Sequence, residues 1–207
     1  VCLIAVKPQI IFDAISNLNR YKQSETLFIS IAAGIKLKQL EQAISSESTI
    51  IRAMPNTPSA IGKGITALIG NSAAKKEHIM ISKILLEKIS EVIELEHEDQ
   101  MDVVTGLSGS GPAYVFYLIE SLTNAGVELG LSKEKALQLA KATVAGSGAL
   151  ALSSSEKPSV LRKNVTSPNG TTQAGLEILM DKKYGLGPLI KSTVEAATKR
   201  SKDLGNG

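Results

Sequence analysis

Hydrophobic residues in the first half of the chain alternate between short continuous runs and helically spaced positions. The runs have the length of strands buried in a parallel sheet, and the stretches between them repeat apolar residues three and four apart, as amphipathic helices do. This alternation predicts βαβ units and an α/β fold with a mostly parallel sheet. The predicted strands cover residues 1–6, 26–31, 49–54, 65–69 and 92–95, and the predicted helices cover 9–21, 36–44 and 75–90.

The first apolar run, residues 1–6, is predicted to be a fully buried strand. It contains no polar residue and ends at Lys7-Pro8. A buried strand of a parallel sheet needs neighbours and covering helices already in place. We therefore expect residues that precede Val1 in a longer polypeptide to contribute to the same sheet, which is N-terminally incomplete in this sequence.

Strand patterns disappear after about residue 98, where Ala, Leu, Gly and Ser dominate. Two of the helices predicted there, 111–129 and 132–152, are apolar on several faces, which predicts burial against a second copy of the chain. Ser132 is suited to cap the second of them. We predict two domains, residues 1–97 with the sheet and residues 98–207 as an all-α dimerisation domain. The predicted helices of the second domain cover 100–107, 111–129, 132–152, 158–164, 171–180 and 187–204.

Composition excludes several classes of function. The 23 Lys and Arg residues against 20 Asp and Glu leave a net charge of +3, which is too small and too dispersed for a nucleic-acid surface. One cysteine excludes an intrachain disulfide framework and a cysteine-rich metal site, and two histidines leave almost no ligands for a zinc site. No apolar run approaches the ~18 residues of a membrane span. We expect a cytoplasmic protein without a membrane partner.

Small or turn-forming residues follow three of the predicted strands. In open parallel sheets, ligands bind beyond the carboxyl ends of the strands. Small residues at these ends let backbone groups approach a flat ring or a ribose closely, so their repetition indicates a nucleotide-type ligand. Each segment taken singly is also compatible with an ordinary turn. The three segments are Val6-Lys7-Pro8-Gln9, Ile31-Ala32-Ala33-Gly34 and Met54-Pro55-Asn56-Thr57-Pro58.

Two further segments lead into predicted helices. Residues 105–114 hold three glycines, which predicts a break in the preceding helix and a structural hinge that packs closely against the sheet domain, with a phosphate-binding turn as the alternative. Residues 164–175 are rich in hydroxyls, and the exposed amides of the helix that follows suit a carboxylate. The alternative there is an ordinary cap, in which Thr171 or Thr172 satisfies the first amides.

Taken together, these segments resemble the pyrroline-5-carboxylate reductase family over nearly the whole chain. The resemblance implies a Rossmann domain and a helical domain that interlocks with a second subunit, and the resulting homodimers form decamers in several members. It implies reduction of pyrroline-5-carboxylate to L-proline by NADPH or NADH, the last step of proline biosynthesis. The family's Gly-x-Gly-x-x-Gly turn is expected before Val1, so weak or absent activity is expected from a polypeptide that starts there. The matching segments are 5–9, 30–35, 52–58, 105–114 and 164–173.

The same resemblance implies a role for individual residues. Thr172 matches the threonine whose hydroxyl contacts the substrate nitrogen, which makes it the expected catalytic residue, and no metal is implied. The residues expected to line the cofactor pocket are Ala5, Val6, Lys7, Pro8, Ala32, Ala33 and Asn56. The residues expected to bind the substrate are Val165, Ser167, Gly170, Thr171 and Thr172.

Two other functions stay open at this point. The β-hydroxyacid dehydrogenases also join a Rossmann domain to a helical one, and their spaced glycines match Gly106, Gly109 and Gly111. Val115 and Leu118, however, stand where that group carries its Lys and Asn, so an alcohol would have no proton acceptor here. The second alternative is a non-catalytic helical dimerisation scaffold or a truncated relic of an enzyme.

Overall fold

The computed structural model describes residues 1–18 and 25–205. The strands in this part of the chain are β1 (Cys2–Ile4), β2 (Leu27–Ser30), β3 (Thr49–Met54), β4 (Gly64–Gly70) and β5 (Ser90–Glu94). The helices are α1 (Ile11–Leu18), α2 (Leu37–Ala43), α3 (Lys76–Leu86), α4 (Gln100–Val104), α5 (Gly111–Glu128), α6 (Lys133–Ser153), α7 (Pro158–Asn164), α8 (Thr171–Leu179) and α9 (Leu186–Leu204). Two 3₁₀ turns cover Pro8–Ile10 and Thr57–Ile61, and a π-helical turn covers Thr105–Gly109.

The predicted alternation of strands and helices, followed by helices alone, is confirmed. The helix predicted over 158–164 has these bounds in the structure, and Ser132 caps α6 by accepting a hydrogen bond from the Lys135 amide. The helix predicted over 9–21 begins as a 3₁₀ turn, and residues 19–21 of it lie outside the described residues. The helix predicted over 75–90 ends at Leu86.

The sheet has the strand order β1-β2-β3-β4-β5 in the described chain. β1, β2 and β3 are parallel to one another, and β4 and β5 are parallel to each other, whereas β3 and β4 are antiparallel. Only residues 55–63 separate β3 from β4, and a parallel pair needs a crossover of about a dozen residues or more. The short connection, with its 3₁₀ turn, therefore reverses the direction of the chain.

Helices cover both faces of the sheet and divide the core into two clusters. Phe28 and Ile50 point to the face covered by α1 and α2, and their neighbours Ile29 and Ile51 point to the face covered by α3. This opposite placement follows from the alternation of side chains along a strand. Because both faces are packed, the central strands are apolar at nearly every position.

The first apolar run forms a strand that is partly exposed in the described chain, and its predicted full burial, which depends on residues before Val1, stays a prediction. β1 lies at the edge of the described sheet, where it pairs with β2. Ile4 is buried in the cluster below α1 and α2, but Leu3 points to the other face and is 56% exposed. Among the described helices, α3 packs on this face against β3 and β4.

The chain forms two compact units. The first consists of residues 1–112 and 194–207 and contains the sheet, and the second consists of residues 113–193 and is helical. The predicted division after residue 97 differs from these bounds and stays a prediction. Among the described residues, no helix combines the length and the apolar character that a membrane crossing requires.

Large apolar side chains of the second unit are exposed. In α5, Phe116 is 58% exposed, and Thr123 is the one buried residue of this helix. α6 buries only Ala136 and Ala140. An apolar groove of about 520 Å³ lies between α5 and the first part of α9. Such a surface is typical of a chain that buries these helices against a partner.

Candidate active site

The carboxyl ends of β1, β2 and β3 lie at the same edge of the sheet. Ile4 pairs with Ser30, and Ser30 pairs with Arg52, so the three parallel strands end nearly in register. The residues predicted to line the cofactor pocket follow these ends directly, at positions 5–8, 32–33 and 56. The first unit therefore brings all seven of them to one edge, where an open parallel sheet binds its ligands.

The segment after β1 is extended and then turns. Lys7 has φ −61° and ψ 145°, and its carbonyl accepts a hydrogen bond from the Ile10 amide, which closes the 3₁₀ turn that begins at Pro8. Ala5 and Lys7 are exposed, whereas Val6 and Pro8 are half-buried. The backbone of this segment is therefore accessible to a ligand.

The loop between β2 and α2 has one buried and one exposed alanine. Ala32 is 5% exposed and packs in the core cluster, so its side chain contributes to the fold, while Ala33 is exposed at the tip of the loop. Gly34 adopts φ +79°, a conformation that favours glycine, and the Cβ of Leu204 lies against it. The loop therefore exposes its backbone and the Ala33 methyl group.

Asn56 follows β3 and is half-buried, and of its side-chain amide only the oxygen forms a hydrogen bond within the described chain. Its Oδ1 accepts a hydrogen bond from the Ile65 amide at 2.9 Å, which assigns Nδ2 as the remaining donor. Among residues 1–18 and 25–205, Nδ2 has no acceptor. Nearby, the Oγ of Ser59 is buried without a partner in the described chain. Asn56 is thus held by one end of its amide and can donate with the other.

The segment predicted to bind substrate connects α7 to α8 in the second unit. The Thr166 hydroxyl donates to the Arg162 carbonyl at 2.6 Å and so ends α7. Asn169 adopts φ 58°, and its amide donates to the Gln173 side chain at 2.8 Å. The Gly170 amide donates to the Ser167 carbonyl at 3.1 Å. These bonds close a tight loop without using the threonine hydroxyls that follow.

The start of α8 is not capped by a side chain, so the prediction of an ordinary threonine cap is wrong. Gly170 is the N-cap residue, and Thr171 and Thr172 are the first two helical residues. A Cβ at position 170 would overlap Ser167, which explains the glycine. In the described part of the chain, the amides of Thr171, Thr172 and Gln173 have no acceptor and the two hydroxyls have no partner.

A depression of about 440 Å³ lies beside this loop, between α7 and α8. None of the predicted substrate residues lines it. Val165 follows α7 and is 65% exposed, and both threonines are exposed as well. The predicted residues are therefore adjacent in the chain and accessible within their unit, outside this depression. Its lining residues are Arg162, Lys163, Thr166, Gln173, Leu176, Glu177 and Met180.

The glycine-rich segment forms a π-helical turn after α4 and separates α4 from α5. The Ser110 amide donates to the Thr105 carbonyl at 2.8 Å, five residues back, which is the π-helical pattern. A Cβ at Gly109 would lie 2.6 Å from Cε of Met54, at the end of β3. α4 ends at Val104, Ser110 is not helical and α5 begins at Gly111, so the predicted break between two helices is confirmed. The predicted close packing against the sheet domain is confirmed at Gly109. Its role as a hinge stays a prediction.

An ion pair that the sequence pattern does not predict lies near the same edge of the sheet. Arg52 of β3 is 3% exposed, and its Nη1 lies 2.7 Å from Oε1 of Glu98. A charged residue in a strand of otherwise apolar core positions is the signal that could have revealed it, because a buried charge requires a partner. The spacing of 46 residues gives no indication of which acid this is.

Comparisons with known proteins identify the family. The family model for pyrroline-5-carboxylate reductase dimerisation matches residues 98–204. The chain is 38% identical to pyrroline-5-carboxylate reductase 1 of Bacillus subtilis over 204 residues, which is 99% of this chain and 68% of that protein. It is 39% identical to pyrroline-5-carboxylate reductase of Arabidopsis thaliana, with 99% of this chain and 72% of that protein covered.

Solved structures agree with these relatives. The structure is similar to a pyrroline-5-carboxylate reductase from Coxiella burnetii, with a TM-score of 0.91, 36% identity and coverage of 98% of this chain and 74% of that one. It is also similar to the Plasmodium falciparum pyrroline carboxylate reductase with NADP bound, with a TM-score of 0.86, 34% identity and coverage of 98% and 76%. The chain therefore belongs to the pyrroline-5-carboxylate reductase family.

Proposed function

We propose that this chain reduces pyrroline-5-carboxylate to L-proline with NADPH or NADH, in the last step of proline biosynthesis. The observation that carries the proposal is the uncapped start of α8 in a chain of this family. Three backbone amides and two hydroxyls are available there without a partner in the described residues. A helix start with free amides is a favourable site for a carboxylate.

The edge of the sheet fits a nicotinamide cofactor. The exposed backbone of residues 5–8 and the tip at Ala33 allow a flat ring or a ribose to approach closely. Asn56 offers Nδ2 as a donor because its Oδ1 is already occupied by the Ile65 amide. NADPH or NADH, when bound, supplies the hydride. Ala5, Val6, Lys7, Pro8, Ala32, Ala33 and Asn56 are the residues proposed to hold it.

The loop between α7 and α8 is proposed to bind and orient the substrate. Within the segment 167–172, the free amides of Thr171 and Thr172 hold the substrate carboxylate, because the amides of Asn169 and Gly170 already donate to Gln173 and Ser167. Val165 lines the pocket with its apolar side chain. The Thr172 hydroxyl contacts the substrate nitrogen, where its oxygen accepts from a protonated imine. Orientation of the imine carbon is the main contribution of these residues to the rate.

Proton delivery needs no strong acid from the chain. The iminium form of the substrate is the better hydride acceptor, and Thr172 or a bound water accompanies protonation of its nitrogen. The amine of the product is basic and takes its further proton from solvent. This proposal agrees with Val115 and Leu118, which are apolar where a dehydrogenase acting on alcohols has Lys and Asn.

We also propose that the enzyme is a homodimer through its helical domain. The exposed apolar side chains of α5 and the groove between α5 and α9 support this assembly, because a second copy would remove them from water. Decamers and a cytoplasmic location stay predictions.

Oxidation of NADPH and of NADH by the full natural polypeptide, with pyrroline-5-carboxylate as substrate, tests the function. Thr172→Ala removes a hydroxyl that meets a charged group, so kcat/KM should fall about 10- to 100-fold. Ser16→Ala is the control, since its exposed hydroxyl donates to the Asp13 carbonyl within α1, and its kcat/KM should stay near that of the wild type. A folded dimer without turnover would favour the non-catalytic scaffold.

A further inference from the structure

The loop that ends at α2 is anchored by a carboxylate from a distant part of the chain. Oε1 of Glu98 accepts a hydrogen bond from the Leu37 amide at 2.8 Å, and the two residues are 61 positions apart. Leu37 is the first residue of α2. The first amides of a helix have no acceptor within the helix, so Glu98 supplies one that Leu37 otherwise lacks.

The same oxygen also binds the strand that precedes Asn56. Nη1 of Arg52 donates to Oε1 of Glu98 at 2.7 Å, and the Arg52 side chain is 4% exposed against 28% for Glu98. Arg52 lies two residues before the end of β3. A nearly buried guanidinium loses most of its contact with water. Removal of its carboxylate partner would therefore leave a buried charge without compensation and lower the free energy of unfolding.

One atom of Glu98 therefore connects the two loops proposed to contact the cofactor. The bond to Leu37 holds the carboxyl side of the loop that presents Ala33, and the bond to Arg52 holds the strand that leads to Asn56. Glu98 itself lies just before α4, whose helix continues into the π-helical turn packed on Met54. All of these residues belong to the first compact unit.

We propose that Glu98 is a positioning residue for NADPH or NADH, which sets the separation of the Ala33 loop from the Asn56 loop. This inference depends on the proposed function, because it assumes that both loops contact the cofactor. Glu98 acts through Leu37 and Arg52, and not by contact with the reacting atoms. Its loss should weaken cofactor binding more than it affects the substrate, whose predicted residues lie in the other unit.

Three variants of the full natural polypeptide separate positioning from folding. Glu98→Ala removes both bonds, and Glu98→Gln keeps the length and one accepting oxygen but loses the charge. Glu94→Gln is the matched control, because Glu94 forms an exposed ion pair with Lys83 at 2.8 Å on β5. The assays are titration with NADPH alone, steady-state kinetics, and hydrogen exchange of the peptide that contains Leu37.

We expect the Kd for NADPH to rise about tenfold in E98A and less in E98Q, because a small displacement of the Ala33 and Asn56 loops weakens their contacts with the cofactor. The KM for pyrroline-5-carboxylate at saturating NADPH should be unchanged, and the Leu37 amide should exchange faster in E98A. E94Q should resemble the wild type in all three assays.

Two results would overturn the proposal and differ from failure of the function. An E98A protein that is folded and binds NADPH as the wild type does would refute positioning, even if Leu37 exchanges faster. Equal weakening of NADPH binding in E98Q and E94Q would also refute it. In either case wild-type turnover would leave the proposed function intact. A wild type that neither binds nor oxidises NADPH would overturn the proposed function and the Glu98 proposal with it.

Discussion

The replacement Asn56→Asp separates the structural use of this side chain from its proposed contact with the cofactor. The two side chains have nearly the same shape. Asp keeps an oxygen for the Ile65 amide, which Oδ1 of Asn56 now binds at 2.9 Å. It removes the Nδ2 donor, which has no acceptor in the described residues and is the atom proposed to meet NADPH or NADH. Asn56→Ala removes both ends.

The expected magnitudes follow from which bonds each variant loses. N56A leaves the half-buried Ile65 amide without its acceptor, so the free energy of unfolding should fall by about 1 to 3 kcal/mol. N56D retains that bond and should fold with nearly wild-type stability. In N56D a ligand acceptor faces a carboxylate instead of a donor, and the same range of about 1 to 3 kcal/mol corresponds to roughly 5- to 150-fold weaker binding of the cofactor.

Two measurements test this expectation. Urea unfolding followed by circular dichroism gives the stability of each variant, because the chain has no tryptophan to serve as a fluorescent probe. Calorimetric titration with NADPH gives the affinity. Wild-type affinity in N56D would show that Nδ2 does not contact the cofactor. Wild-type stability in N56A would show that the bond to Ile65 contributes nothing to the fold.

Further predictions concern stability. Gly106→Ala places a Cβ 3.0 Å from both the Thr198 amide nitrogen and the Val194 carbonyl oxygen, so α9 must shift and about 1 to 3 kcal/mol should be lost in urea unfolding. Gly111→Ala, with nothing within 4 Å of its Cβ, is the control and should not destabilise. Hydrogen bonds from the Tyr184 and Lys183 amides lower the pKa of Asp181 below its ordinary 3.8. This stabilisation is present above that value and lost as pH falls through the lower folded pKa, so the thermal midpoint of Asp181→Asn should fall less than that of the wild type between about pH 5 and pH 2. Equal falls would contradict this.

Much of the fold could be predicted because its signals are local. Apolar runs and helical spacing within ten to twenty residues are enough to place the strands and helices of both parts of the chain. The burial of β1 differs from these properties, since an apolar run indicates that a strand can be buried and does not indicate which neighbours cover each of its faces. The direction of β4 could have been predicted from the short connection of residues 55–63.

The candidate site was predictable as segments but not as contacts. The resemblance places Asn56 and Thr172 in a cofactor edge and a substrate loop, which stay proposals. The pattern of residues does not reveal that Oδ1 of Asn56 is occupied by Ile65, or that α8 begins without a side-chain cap. Both observations concern which hydrogen bonds individual atoms form, and this depends on the folded geometry rather than on the residue types nearby in the sequence.

The sequence by itself determined the order of elements, the change from an α/β to an all-α region, and the family. These properties follow from periodicity and from short motifs that neighbouring residues carry. Only the tertiary structure decided that Glu98 binds both Arg52 and Leu37, because these residues are 46 and 61 positions away from it. A buried charge must have a partner, but any of the chain's 20 acidic residues could satisfy that requirement until the packing of the sheet and its helices selects one.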